Sequence, residues 1–315
     1  MDVRNLVNRI IVGWIILVAL VALFGRVTVA ETNGGTTAAN FLLIGAGARP
    51  AGMAGAFTAV SRGAEASYWN PAGLTSVEQC EVLLSHFVWY QDMTLEYGAF
   101  AHQLGHNAAL AASITYFNYG TIQGYDLEGN PTSEISAYDL AAGLSLGYRT
   151  SENLSIGLTT KYITQKLDDI SGSTVAFDFG ANLVNDRFAI AAVLGNVGPK
   201  ISFEGVAEKL PTLARLGFSY HPVAERLVTA IELEKRFGGA TVIRNGLEFN
   251  YDEQYYIRTG YNYYPGVDSR AFGAGFSAGL GLRMASYEFD YAYTFGEKYT
   301  SEDLHRFTFI VRIGT

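Results

Sequence analysis

From Glu81 onward, polar and apolar side chains alternate through about fourteen segments separated by turn residues. The clearest segment sets Tyr287, Phe289, Tyr291, Tyr293 and Phe295 against Glu288, Asp290, Ala292 and Thr294. Successive side chains of an extended chain point to opposite faces, so every ring falls on one side and both carboxylates on the other. A helix would mix the two sets. The same alternation predicts strands near 81–88, 95–104, 107–117, 136–148, 154–165, 174–183, 188–196, 212–220, 227–235, 240–249, 255–264, 272–283, 286–295 and 304–313. Between them, short connections at 105–107, 150–153, 185–187, 221–226, 250–254 and 284–285 take turns with mostly longer ones at 118–135, 166–173, 197–211, 266–271 and 296–303. An even strand number with short turns at one end and longer loops at the other predicts an all-β fold. The expected form is a transmembrane antiparallel barrel of a bacterial outer membrane, with the short turns in the periplasm.

The faces agree from strand to strand. Leu216, Phe218 and Tyr220 oppose Arg215, Gly217 and Ser219; Leu227, Ile231 and Leu233 oppose Glu232 and Glu234; Phe307, Phe309, Val311 and Ile313 oppose Arg306, Thr308 and Arg312. The apolar face is assigned to lipid. Closure follows, because an open sheet edge in hydrocarbon leaves backbone groups unsatisfied at several kcal/mol each. Tyr138, Tyr148, Tyr220, Tyr255, Tyr263 and Tyr287 fall near strand ends, where amphipathic rings suit the headgroup zone. By the same alternation Arg215, Glu232, Glu234, Arg244, Glu248, Arg258, Glu288, Asp290, Arg306 and Arg312 face the lumen. A mixed-sign wall of this kind suits internal ion pairing better than an ion filter. In the segment 272–283, Gly273, Gly275, Ser277, Gly279 and Gly281 turn inward, leaving one wall nearly bare and open to close approach.

Composition supports a membrane barrel over a soluble enzyme. The chain has 315 residues, 35 of them Gly, 20 Tyr and 19 Phe, and only 17% are charged. Residues 1–30 read as a secretory signal peptide: Arg4 and Arg9, an apolar run over 10–24, then Thr28-Val29-Ala30 before a cut at Glu31. Without Asp2, Arg4, Arg9 and Arg26 of that leader, 29 acidic residues face 19 basic ones. That balance argues against a nucleic-acid partner, which needs a basic patch. Cys80, the only cysteine, allows no internal disulfide and is expected to be a buried small apolar residue.

Residues 31–80 do not alternate. Arg49-Pro50-Ala51-Gly52-Met53-Ala54-Gly55-Ala56-Phe57-Thr58-Ala59-Val60, followed by Tyr68-Trp69-Asn70-Pro71-Ala72-Gly73-Leu74, resembles the N-terminal motif of the PorV/PorQ family within the FadL superfamily of outer-membrane proteins. The match covers about thirty residues closely, and the stretch from Leu210-Pro211 to Tyr220 agrees with it. The resemblance implies a fourteen-stranded barrel, built by residues 81–315, whose N-terminal hatch, residues 31–80, folds into the lumen. Arg49, Pro50, Gly52, Gly55, Trp69, Asn70, Pro71, Ala72 and Gly73 carry the hatch motif. Small residues there allow close approach to a wall, Pro50 and Pro71 limit helix length, and Asn70 before Pro71 favours a turn.

The sequence offers no catalytic constellation and no cofactor or metal signature. His86, His102, His106, His221 and His305 are scattered over separate strands and turns. Gly45-Ala46-Gly47 lacks the third glycine and the parallel-sheet context of a dinucleotide loop. Asp168-Asp169 and Glu302-Asp303 fall in outside loops as solvated carboxylates. The resemblance implies two functions: a type IX secretion accessory that binds exported protein cargo and secretion-system partners, or FadL-like uptake of long-chain fatty acids or other hydrophobic molecules. The charged lumen and the wording of 68–74 favour the first.

Overall fold

The structure, a computed structural model, describes residues 37–89, 92–223, 226–265, 275–295 and 304–314. The leader, Gly273 and the 296–303 loop with Glu302 and Asp303 lie outside them. The strands are Cys80–Val88 (β1), Thr94–Leu104 (β2), Ala108–Asn118 (β3), Ile122–Tyr125 (β4), Pro131–Ile135 (β5), Ala137–Arg149 (β6), Leu154–Leu167 (β7), Ile170–Val184 (β8) and Phe188–Val197 (β9). They continue as Ile201–Phe203 (β10), Val206–Glu208 (β11), Leu213–Val223 (β12), Leu227–Arg236 (β13), Thr241–Tyr251 (β14), Tyr255–Tyr263 (β15), Phe276–Met284 (β16), Tyr287–Thr294 (β17) and Leu304–Ile313 (β18). Fourteen of these close into an antiparallel barrel, the number the alternation predicts. The seam joins β1 to β18 in register from Cys80 opposite Ile313 to Val88 opposite His305. With the ring closed, the barrel wall has no free edge for lipid to desolvate.

Four details depart from the sequence reading. The 166–173 connection is a tight turn, because Lys166 opposite Ser171 and Leu167 opposite Ile170 prolong the β7–β8 ladder. Asp168 takes the left-handed conformation there (φ 54°), which a short polar side chain tolerates. The loops 118–135 and 197–211 are not plain coil, since each carries a small hairpin, β4–β5 and β10–β11. Gly275 precedes β16 at φ 90° and lies against the Asn262 backbone, so it is a turn residue and not an inward strand residue. Cys80 opens β1 in the outward register and is only half-buried, with Sγ 3.0 Å from His102 Nδ1.

Outward positions are apolar and exposed: Leu84, Phe100, Leu144, Ile257, Leu280, Tyr287 and Phe309 are examples. Inward positions are buried, and they are small, polar or charged over much of the wall and large and apolar on β1–β3 and β7. The lumen holds the chain from Thr37 to Gln79, folded as short helices, Asn40–Leu43, Ala48–Gly52, Gly63–Glu65, Ala66–Trp69 and Pro71–Ser76. It starts at the long-loop end, where Thr37 bridges Lys209 and the Ala39 N–H donates to Gln165 Oε1 at 3.0 Å. It leaves at the short-turn end, where it runs into β1. The main apolar core forms on its way, where Phe41, Leu42, Leu74 and Val77 pack with Leu83, Phe87, Leu95, Tyr97, Phe117 and Ile163 of the wall.

Candidate functional site in the barrel lumen

The inner segment meets the wall backbone to backbone at inward glycines. A methyl group at Gly157 would run into the Pro71 carbonyl carbon and the Ala72 nitrogen, and one at Gly260 into the Met53–Ala54 peptide. Gly52 and Gly279 approach each other so closely that a Cβ on either would lie 3.1 Å from the other's Cα. Side chains at these wall positions would push the segment off the sheet, since interiors have little slack.

The motif residues hold the segment to itself. Pro50 lies in the helix Ala48–Gly52, and Gly55 follows at φ 76°, against the Arg244 side chain. Asn70 is fully buried and caps Pro71–Ser76, its Oδ1 accepting from the Ala72 N–H at 3.2 Å. Its Nδ2 donates to the Thr58 carbonyl at 3.1 Å, tying the two halves of the segment together. Pro71 fits the first position of that turn because its missing N–H has no partner to lose. Trp69 donates from Nε1 to the Ala46 carbonyl at 2.8 Å and packs edge-on against Phe57. The Arg215 guanidinium covers its ring at 4.9 Å. At Gly73 a side chain would strike the Ser61 carbonyl.

The inward charges gather into three knots. In the first, Arg49 reaches Glu248 through Nε and Nη2 at 2.8 and 3.0 Å, and Glu65 at 3.4 Å. Arg258 bonds the same Glu248 at 2.6 Å and reaches on to Asp290. In the second, Glu234 accepts from Arg215 and Arg244 at 2.8 and 3.0 Å, and Arg244 also reaches Glu232 at 3.2 Å. The other oxygen of Glu232 accepts the Phe57 and Thr58 N–H groups at 3.1 and 2.8 Å, so this carboxylate joins wall and segment. In the third, Arg283 and Arg312 share Glu288, and Arg312 reaches Glu81 at 3.1 Å. Arg306 stands apart from the knots, over the Phe87 ring at 4.0 Å, with Nη2 donating to the Ile44 carbonyl at 3.2 Å.

Such pairs add little net stability when complete, because desolvation offsets the attraction, yet breaking one strands a buried charge. Glu65 shows the uneven sharing. Burial, opposed mainly by Arg49, pushes its carboxyl up to about 8. Arg49 makes its two short bonds to Glu248 and only the 3.4 Å contact to Glu65, which leaves Glu65 the under-compensated partner.

Sequence reasoning overlooked several participants. Glu81 accepts the Ala64 N–H at 2.7 Å, and Thr308 Oγ1 the Ala48 N–H at 2.8 Å. Lys161 pairs with Asp178 at 2.8 Å across β7 and β8 and also donates to Asn196. Their inward register was the available signal. A cavity of about 30 Å³ remains beside Tyr68, Tyr97, Lys161 and Asn196, room for one or two waters.

This geometry has known counterparts. The Ralstonia pickettii toluene transporter TbuX superposes with a TM-score of 0.64 at 15% identity, covering 86% of this chain and 99% of that one. The Pseudomonas putida toluene transporter TodX gives 0.59 at 14%, covering 85% and 97%. A Pseudomonas aeruginosa FadL homologue gives 0.56 at 11%, covering 84% and 98%. At these identities the likeness establishes the fold, a FadL-like β-barrel. No curated protein matches the sequence. The family described as Type IX secretion system protein PorV matches residues 28–240, about two thirds of the chain. The protein is therefore an outer-membrane β-barrel that belongs to the PorV family of type IX secretion.

Proposed function

We propose that this barrel is a type IX secretion accessory that receives exported protein at its long-loop face, while residues 31–80 act as a hatch that keeps the lumen shut. Residues 1–30 serve as the signal peptide for export. The observation that carries this reading is the filled middle of the lumen: the inner segment is fastened by Glu232, Glu248 and Glu81, and the cavity beside Tyr68 and Lys161 admits water rather than a polypeptide or an alkyl chain, while larger cavities border the segment toward the two ends of the barrel. Work on a partner then falls to the rims. At the long-loop end the hairpins β4–β5 and β10–β11 expose Tyr125, Leu127 and Val206, apolar side chains that a protein partner would cover.

A second reading comes from the fold likeness to the toluene transporters, which would make the protein a channel for hydrophobic molecules. It requires an apolar path where Arg49, Arg258 and Asp290 now stand. Photo-crosslinking separates the two. A crosslinker at Tyr125 or Val206 in living cells should capture an exported protein. Failure to capture any, together with a lipid or detergent chain bound in the lumen of the purified barrel, contradicts the secretion reading.

A further inference from the structure

A depression of about 480 Å³ opens on the lipid-facing side of β8, β9, β12 and β13. The strand register explains it. Ala192 stands opposite Ala181 on one side and Leu216 on the other, and Ala214 stands between Leu194 and Lys235. The three alanines form the floor, and the exposed side chains of Phe179, Leu194 and Leu216 rise around it. One row nearer the short-turn end, Leu183, Ile190 and Phe218 fill the same outward positions with large side chains, so the depression ends there.

Lys235 stands in the outer row of the depression, toward the long-loop end. Its ammonium turns up to the β13–β14 turn, where Nζ donates to the Gly239 carbonyl at 3.3 Å. A lysine on the lipid face is tolerated where its stem lies along apolar surface and its charge reaches the head-group level, and this one sits at that end of its strand. It makes no ion pair with any described residue, and none of the residues that line the depression is acidic. An apolar trough therefore leads up to one uncompensated positive charge.

We propose that this depression holds one acyl chain of an outer-leaflet lipid whose phosphate head group is bound by Lys235. The two parts of the site match the two parts of such a molecule. The alanine floor lets a chain lie against the sheet between Leu194 and Leu216, and the ammonium above it attracts an anionic head group. A soluble anion would find a single lysine and no further donor, whereas lipid already surrounds this wall of the barrel. The site is independent of whether the inner segment moves and of whether the outer face receives cargo.

The test is native mass spectrometry of the full barrel released from mixed micelles that contain dioleoyl phosphatidate or dioleoyl phosphatidylcholine at equal mole fraction. The wild-type barrel should retain phosphatidate about fivefold better than phosphatidylcholine, and K235A should abolish that preference. A192F, which fills the floor, should lower retention of both lipids about tenfold. A112F, the same change at an outward alanine of β3, should leave it unaltered. Unchanged migration in a heat-modifiability gel verifies that each variant is folded. Equal retention by A192F and A112F, a preference that survives K235A, or displacement of the lipid by free glycerophosphate would each overturn the assignment. So would a wild-type dimer that A192F disperses, since a second copy would then cover the depression.

Discussion

The wall formed by β6, β7 and β8 meets residues 70–75 through neutral contacts, apart from Arg149 at the rim, whereas the wall from β13 to β18 meets residues 48–65 through buried charge added to glycine contacts of its own at Gly246, Gly260 and Gly279. On the first wall the fit is steric: Gly147 and Gly157 lie against the Pro71–Ala72 backbone and Leu74 Cβ, Gly180 against the Asn70 amide and the Pro71 ring, and Thr75 Oγ1 and Ser155 Oγ lie 2.9 Å apart. On the second, Arg49 from the segment and Arg258 from the wall share Glu248, while Glu232 accepts two segment N–H groups. Steric exclusion fixes where the segment sits. Charge pairing makes it costly to leave, because every departure uncovers an unpaired ion in a dry place.

The largest effect should come from the charged wall. Arg258→Ala strands Asp290 on a buried position and leaves Glu248 to Arg49 alone, and should lower unfolding stability in detergent by about 3–5 kcal/mol, read by urea titration. A loss under 1 kcal/mol would mean that the knot is hydrated and that the two walls differ little. Next comes the neutral wall. Gly157→Ala places a methyl group against the Pro71–Ala72 peptide and should cost about 1–3 kcal/mol by the same titration, with no dependence on pH. Tolerance of Gly157→Val would show that the segment is not held by shape.

Per unit of pH the smallest effect is a slope. Glu65, raised to about 8 by burial, binds its proton more tightly in the folded protein than in the unfolded chain. Its contribution is therefore fully present below the ordinary carboxyl range near 4.5 and is lost as pH rises towards 8, at no more than about 1.4 kcal/mol per pH unit. E65Q should flatten the fall in urea midpoint between pH 5 and pH 8. An unchanged slope would mean that Arg49 compensates both of its carboxylates.

The contrast between the walls also explains what could be read from the sequence. Alternation around Tyr287 to Phe295 reveals strands because a lipid-facing ring and a lumen-facing carboxylate differ sharply in polarity. It places Arg215, Glu232 and Glu288 on the inner face for the same reason. Alternation is silent about partners, since Glu248 could meet any cation across the lumen and the bond to Arg49 spans 199 positions of chain. The neutral wall left a fainter trace still. Gly157 and Gly180 stand in the inward register, but a glycine there is equally consistent with a bulge, and only the path of Asn70-Pro71-Ala72 gives it meaning. The two hairpins at the outer end escaped because their strands are short, and β5 and β11 are exposed on both faces, so they carry little alternation.

The central claim is that the inner segment closes the barrel, and planar-bilayer conductance tests it most directly. The intact protein should insert with little steady conductance, and deletion of residues 46–73 should open a large, persistent conductance. Equal conductance from the two proteins would contradict the claim.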